Sequence, residues 1–127
     1  MTVATQFEAA CQSRHPGRPE ANEDRVLVLP PDFAAVIDGA TDLSGDRYDG
    51  LTGGALAAAA IAAAFARAWL GGEADHLLDA GHALKVANEA IRGVYARYGL
   101  EERSRAPEDR FRAAFSKVSR PSRTQTI

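Results

Sequence analysis

Glu23, Asp24 and Asp38 are the residues of this chain best placed to do chemistry. They bracket the stretch NEDRVLVLPPDFAAVIDG, from Asn22 to Gly39. Inside it lie two short apolar strand candidates, Val26–Leu29 and Phe33–Ile37, joined by a Pro-Pro-Asp turn. If that turn closes a hairpin, the strands run antiparallel and their outer ends lie side by side. Carboxylates separated by up to fifteen positions then meet at one edge of a sheet. Like charges gathered there repel unless a cation sits among them, and hard oxygen donors suit Mg²⁺ or Mn²⁺.

Composition narrows the function classes. The 127 residues are enough for one small domain or part of a larger one. Fifteen Lys and Arg against seventeen Asp and Glu leave a net charge of −2, which argues against nucleic-acid binding through bulk charge. Residues 1–50 carry nine acids and four bases, whereas residues 110–127 carry five bases and no acid. Acid therefore concentrates around the proposed cluster, and the last stretch reads as a solvated basic tail. The single cysteine, Cys11, excludes an internal disulfide and a multi-cysteine zinc site. Its expected role is that of a small hydrophobe on a strand. The first ten residues, with Gln6 and Glu8, do not read as a signal peptide. Leu51–Ala66 is uncharged and Ala-rich, and Arg67 interrupts it short of a bilayer's width. The expectation is a soluble cytoplasmic protein with no membrane and no nucleic-acid partner.

Taken in order, Thr2–Ser13 alternates loosely and predicts a strand, and His15–Glu20 predicts a loop. After the hairpin, Ala40–Gly50 is loop-like, with Asp42, Asp46 and Asp49 available for outer contacts. Thr52 is placed to cap a helix over Gly53–Leu70, its large apolar residues near one stripe and alanines filling the rest; Gly71–Gly72 ends it. A second helix is predicted over Asp75–Tyr98, with Leu77, Leu84, Ile91 and Tyr98 repeating every seven residues. Asp79, His82, Lys85, Glu89 and Arg92 occupy its polar face, and Gly99 is its C-cap. His76 and His82, six apart, do not share a face for chelation. A last strand is predicted over Phe111–Val118. Strands followed by long helices and a further strand predict an α+β domain whose helices cover one face of an antiparallel sheet.

The ordered set Asn22-Glu23-Asp24, then Ala35-Val36-Ile37-Asp38-Gly39, then a small-residue helix, resembles the metal-dependent protein phosphatases, the type 2C serine/threonine family, in their bacterial form. Ala87-Asn88-Glu89 and Tyr95-Ala96-Arg97-Tyr98 on the second helix extend the likeness, which spans about Phe7 to Val118. The resemblance implies an incomplete αββα sandwich, with residues 1–118 the N-terminal part of such a phosphatase domain and 119–127 an irregular basic tail. It implies hydrolysis of phosphoserine or phosphothreonine in a protein substrate by a metal-activated water, with Mn²⁺ or Mg²⁺ as cofactor. Two such ions about 3.5–4 Å apart share the activated water and neutralise the phosphate oxygens. On that likeness Asp38 bridges the ions, Gly39 offers its carbonyl, and Glu23 and Asp24 hold bound waters. Arg18 is the nearest basic residue to the position where many members place a phosphate-binding arginine, a position held here by Pro19. Ala40-Thr41-Asp42 stands where some members have a histidine followed by two glycines.

The family takes further aspartates from the second half of a larger domain, and here the last acidic residue is Asp109. The expectation is therefore a shortened, poorly active chain that holds at most one ion. The alternative expectation is a non-catalytic interaction module on a degenerate phosphatase fold.

Overall fold

The computed structural model describes residues 17, 22–29, 33–40, 46–100 and 112–119, the last segment and residue 76 by backbone alone. The strand expected over Thr2–Ser13 with Cys11, most of the His15–Glu20 loop with Arg18, the Pro-Pro-Asp turn, Asp42 and residues 120–127 of the basic stretch lie outside the described residues; residues 112–119 of that stretch, read by charge as part of a solvated tail, are a sheet strand instead. The element order is β1 (Asp24–Leu29), β2 (Phe33–Ala40), α1 (Gly53–Leu70), α2 (Ala74–Leu78), α3 (Ala80–Tyr98) and β3 (Arg112–Ser119). The fold is α+β.

β1, β2 and β3 form an antiparallel sheet in that order, with β2 in the centre. Side chains alternate along a strand, and on β2 Phe33, Ala35, Ile37 and Gly39 are buried while Val36, Asp38 and Ala40 are exposed. α1 packs on the buried face, and α3 packs against α1. Phe33, Ile37, Ile61, Phe65 and Leu77 are the largest fully buried side chains. The Phe33 ring meets Phe65 edge-on at 6.3 Å and lies tilted against Trp69 at 4.9 Å. The opposite face of the sheet is open: Val36 is 55% exposed and Val28 44%.

α1 forms where the sequence places it. Thr52 accepts a hydrogen bond from the Ala55 N–H at 3.1 Å, and Gly71 ends the helix with its N–H on the Arg67 carbonyl. Because the helix runs on through Arg67 to Leu70, its length and composition alone would let it cross a membrane; half of it is buried within this fold.

The single helix expected over Asp75–Tyr98 is instead two. Asp79 adopts an extended backbone (φ −86, ψ 127) that ends α2 and caps α3. Its carboxylate accepts the His82 N–H at 2.9 Å and contacts the His82 ring at 3.1 Å, which holds the Asp79 carboxyl below its ordinary range. An aspartate here does more as a cap than it could inside a helix, where its side chain competes with the backbone. The break shifts the first turns of α3 relative to the expected seam. Ala83, Ala87, Val94 and Tyr95 are the buried residues of α3, while Leu84, expected in the apolar seam, is 54% exposed. His82, Lys85, Glu89 and Arg92 are exposed as the polar face requires, and Gly99 closes α3 in the left-handed region at φ 65.

The loop before α1 contains structure that its composition hides. Tyr48 and Leu51 exchange backbone hydrogen bonds across Asp49 and Gly50, both at positive φ (51 and 83). This is the two-residue turn that Asp-Gly favours. The Tyr98 hydroxyl donates to Asp49 at 2.5 Å and the Tyr48 and Tyr98 rings meet edge-on, tying the turn to the end of α3. The bond holds the phenol proton, and it raises the Tyr98 pKa.

Candidate functional site

Three acids reach one edge of the sheet, but they divide between its two faces. Asp24 pairs directly with Asp38 across β1 and β2. The Gly39 N–H donates to the Glu23 carbonyl at 3.1 Å, so Glu23 and Gly39 form the hydrogen-bonded pair next along the ladder. Asp24 and Asp38 therefore form a narrow, non-hydrogen-bonded pair, in which Cα atoms approach to about 4.5 Å and side chains are closest. Both carboxylates project on the open face, where Asp38 is exposed. Adjacent residues of a strand point oppositely, so Glu23 turns the other way, towards α1.

The strands are also longer than the apolar runs. Asp24 and Asp38 lie within the strands rather than beyond their ends. What extends β1 to Asp24 is local: Asn22 accepts the Asp24 N–H at 3.0 Å, satisfying a donor that points away from the ladder. Arg25 donates from one guanidinium nitrogen to the carbonyls of Asn22 and Asp24, at 3.0 and 2.8 Å. That cation is fixed beside the acidic edge. Nothing in the apolar pattern singled it out; its position next to Glu23-Asp24 was the available signal.

Glu23 is built into the base of α1. Its carboxylate accepts the Thr52 hydroxyl hydrogen at 2.8 Å, while the same Thr52 oxygen caps the helix. An anion is favoured at this end, where first-turn N–H groups lack partners and the helix dipole is positive. Thr52 thus couples the start of β1 to the start of α1. Thr52→Ala is expected to lower stability by about 1–2 kcal/mol, with Thr52→Ser close to the parent. Denaturant unfolding of the three proteins checks this, and equal midpoints for Ala and Ser would refute the coupling.

Gly39 and Gly54 let these elements meet. A Cβ on Gly39 would lie 2.2 Å from the Gly54 carbonyl oxygen and 2.5 Å from that of Glu23. A Cβ on Gly54 would lie 2.4 Å from the Ala40 carbonyl oxygen and 3.0 Å from the Glu23 carboxyl carbon. On the family likeness Gly39 offers its carbonyl to an ion, and nothing in the packing of Gly39 tests that role. The structure shows it bringing backbone close to the first turn of α1.

As a donor set for a metal, the open face offers the Asp24 and Asp38 carboxylates, with Gly39 adjoining. Hard oxygens of this kind suit Mg²⁺ or Mn²⁺, which keep several waters and need few protein ligands. Among the described residues no group of three or more acidic, histidine or cysteine side chains is disposed to hold an ion. Among the described residues, these two carboxylates would suit one loosely held cation and do not make up a closed two-ion centre. Asp46 and Asp49 are exposed, and Asp49 is engaged by Tyr98. In comparisons with protein-family models, curated proteins and solved structures, nothing matches this chain.

Proposed function

We propose that this chain is the metal-binding part of a type 2C-like, metal-dependent serine/threonine phosphatase domain. The observation that carries the reading is the narrow Asp24–Asp38 pair on the open face of the sheet, with the residue types and order of the family around it. Two carboxylates directly opposite one another destabilise a sheet, and a divalent cation between them removes that cost. Asp24 and Asp38 would hold the ion. When bound, such an ion supplies an activated water and neutralises charge on a phosphoryl group. Glu23 acts on the other face, fixing α1 against the strand that carries Asp38.

The αββα architecture belongs to this proposal as well. What supports it is the open sheet face with Val28 and Val36 exposed, the kind of surface a second sheet covers. The same exposed valines favour the second reading, a non-catalytic module that binds a partner protein there.

Calorimetric titration of the 127-residue chain with Mn²⁺ separates these. Weak binding of a single ion is expected, lost in Asp38→Ala, with negligible hydrolysis of p-nitrophenyl phosphate. Heat unchanged in the Asp38→Ala variant would sink the metal reading and leave the binding module. Robust Mn²⁺-dependent hydrolysis would instead show that one loosely held ion is not all the chain can bind.

A further inference from the structure

α1 and α3 leave a groove of about 430 Å³ on their outer side, away from the sheet. Its floor is made of small residues from both helices, Ala59 and Ala63 on α1 and Ala90 and Gly93 on α3. Arg67, Glu89 and Arg97 stand along it, all exposed. Neither Glu89 nor Arg97 has an ion-pair partner among the described residues. Arg97 rests over the neighbouring Tyr98 ring, 5.5 Å from its centre.

We infer that this groove is a self-association surface whose occupant is α3 of a second copy of the chain. The charges carry the argument. Glu89 and Arg97 lie four residues before and four residues after Gly93, on one side of α3. A two-fold axis through Gly93 crosses two α3 helices antiparallel and sets Glu89 of each copy against Arg97 of the other. One complementary contact is then made twice, which is what a closed two-fold interface requires. On α3 the opposite charges of Glu89 and Arg97 are placed symmetrically about Gly93, as a second copy of the same helix requires.

Gly93 supports the same geometry. A Cβ built there meets nothing within 4 Å, so the fold of one copy does not require glycine at this position. Mid-helix glycine costs about 1 kcal/mol relative to alanine. A close crossing of two helix backbones at Gly93 accounts for it, since interaxial distance is set by the side chains at the contact. The groove lies behind α1 from Asp24 and Asp38, and the inference does not depend on the metal reading.

Sedimentation velocity of the full chain over a wide concentration range tests it. A reversible monomer–dimer equilibrium is expected. Glu89→Arg alone or Arg97→Glu alone sets like charges opposite one another twice and weakens the dimer by about tenfold or more. The double variant Glu89→Arg/Arg97→Glu restores it. Gly93→Gln abolishes the dimer by bulk, with a melting temperature no lower than that of the parent monomer. A chain monomeric at all concentrations overturns the inference. So does a dimer indifferent to either charge reversal, or one the double variant fails to restore.

Discussion

Gly39→Ala is expected to be among the most damaging single methyl additions this chain can suffer. The added Cβ would fall 2.2 Å from the Gly54 carbonyl oxygen and 2.5 Å from the Glu23 carbonyl oxygen. Both are backbone atoms, so no rotamer change relieves the overlap; β2 and α1 must separate. Overpacking commonly costs about 1–3 kcal/mol, and more where backbone has to move. The contact also carries the Thr52–Glu23 hydrogen bond, so separation breaks the polar link along with the packing. Stability of a small domain is about 5–15 kcal/mol, and a loss of about 3 kcal/mol or more consumes much of it. Gly54→Ala makes the reciprocal test, its Cβ 2.4 Å from the Ala40 carbonyl oxygen. Gly93→Ala, compared at concentrations where the chain is monomeric, is the control, since within one copy it adds the same methyl where nothing lies within 4 Å and is expected to stabilise α3. Urea unfolding of the three variants measures the contrast. Midpoints for Gly39→Ala or Gly54→Ala at or above that of Gly93→Ala would show that α1 does not approach β2 as described.

The second large effect belongs to Phe33. Its side chain is fully buried, and it connects the sheet to α1 through ring contacts with both Phe65 and Trp69. Phe33→Ala removes those aromatic contacts and opens a cavity between the layers, at a cost of about 3–5 kcal/mol. Val36→Ala, three positions along the same strand but on the open face, is expected to change stability little, because Val36 is already 55% exposed. Loss of the cooperative thermal transition in Phe33→Ala, with Val36→Ala near the parent, is the expected pair of results. If both substitutions cost the same, the buried and open faces of β2 have been assigned the wrong way round.

The two effects mark where sequence reading reaches and where it stops. The Phe33 side of β2 was legible because alternation of period two divides a strand into faces, and the apolar residues declare which is inside. Thr52, Gly71 and Gly99 were legible for a similar reason: caps and turns act over four or five residues, within the span of a local pattern. Asp79 lay within reach of the same rules. The regular spacing of Leu77, Leu84, Ile91 and Tyr98 outweighed it. Leu84 at 54% exposure is the visible consequence of the break at Asp79. The Asp49-Gly50 turn was a further local signal, submerged in a loop rich in the same residue types.

The hairpin, its antiparallel sense, the capped α1 and the gathering of Glu23, Asp24 and Asp38 at one sheet edge were determined by the sequence itself, since each follows from neighbours a few residues apart. Tertiary structure decided what that gathering means. It set Asp24 opposite Asp38 on an open face, turned Glu23 to the base of α1, and made Gly39 a point of contact with Gly54. Those outcomes depend on the ladder's phase and on a helix that begins fourteen residues after Gly39. Side-chain direction and close approach are properties of packed elements, and no spacing along the chain contains them.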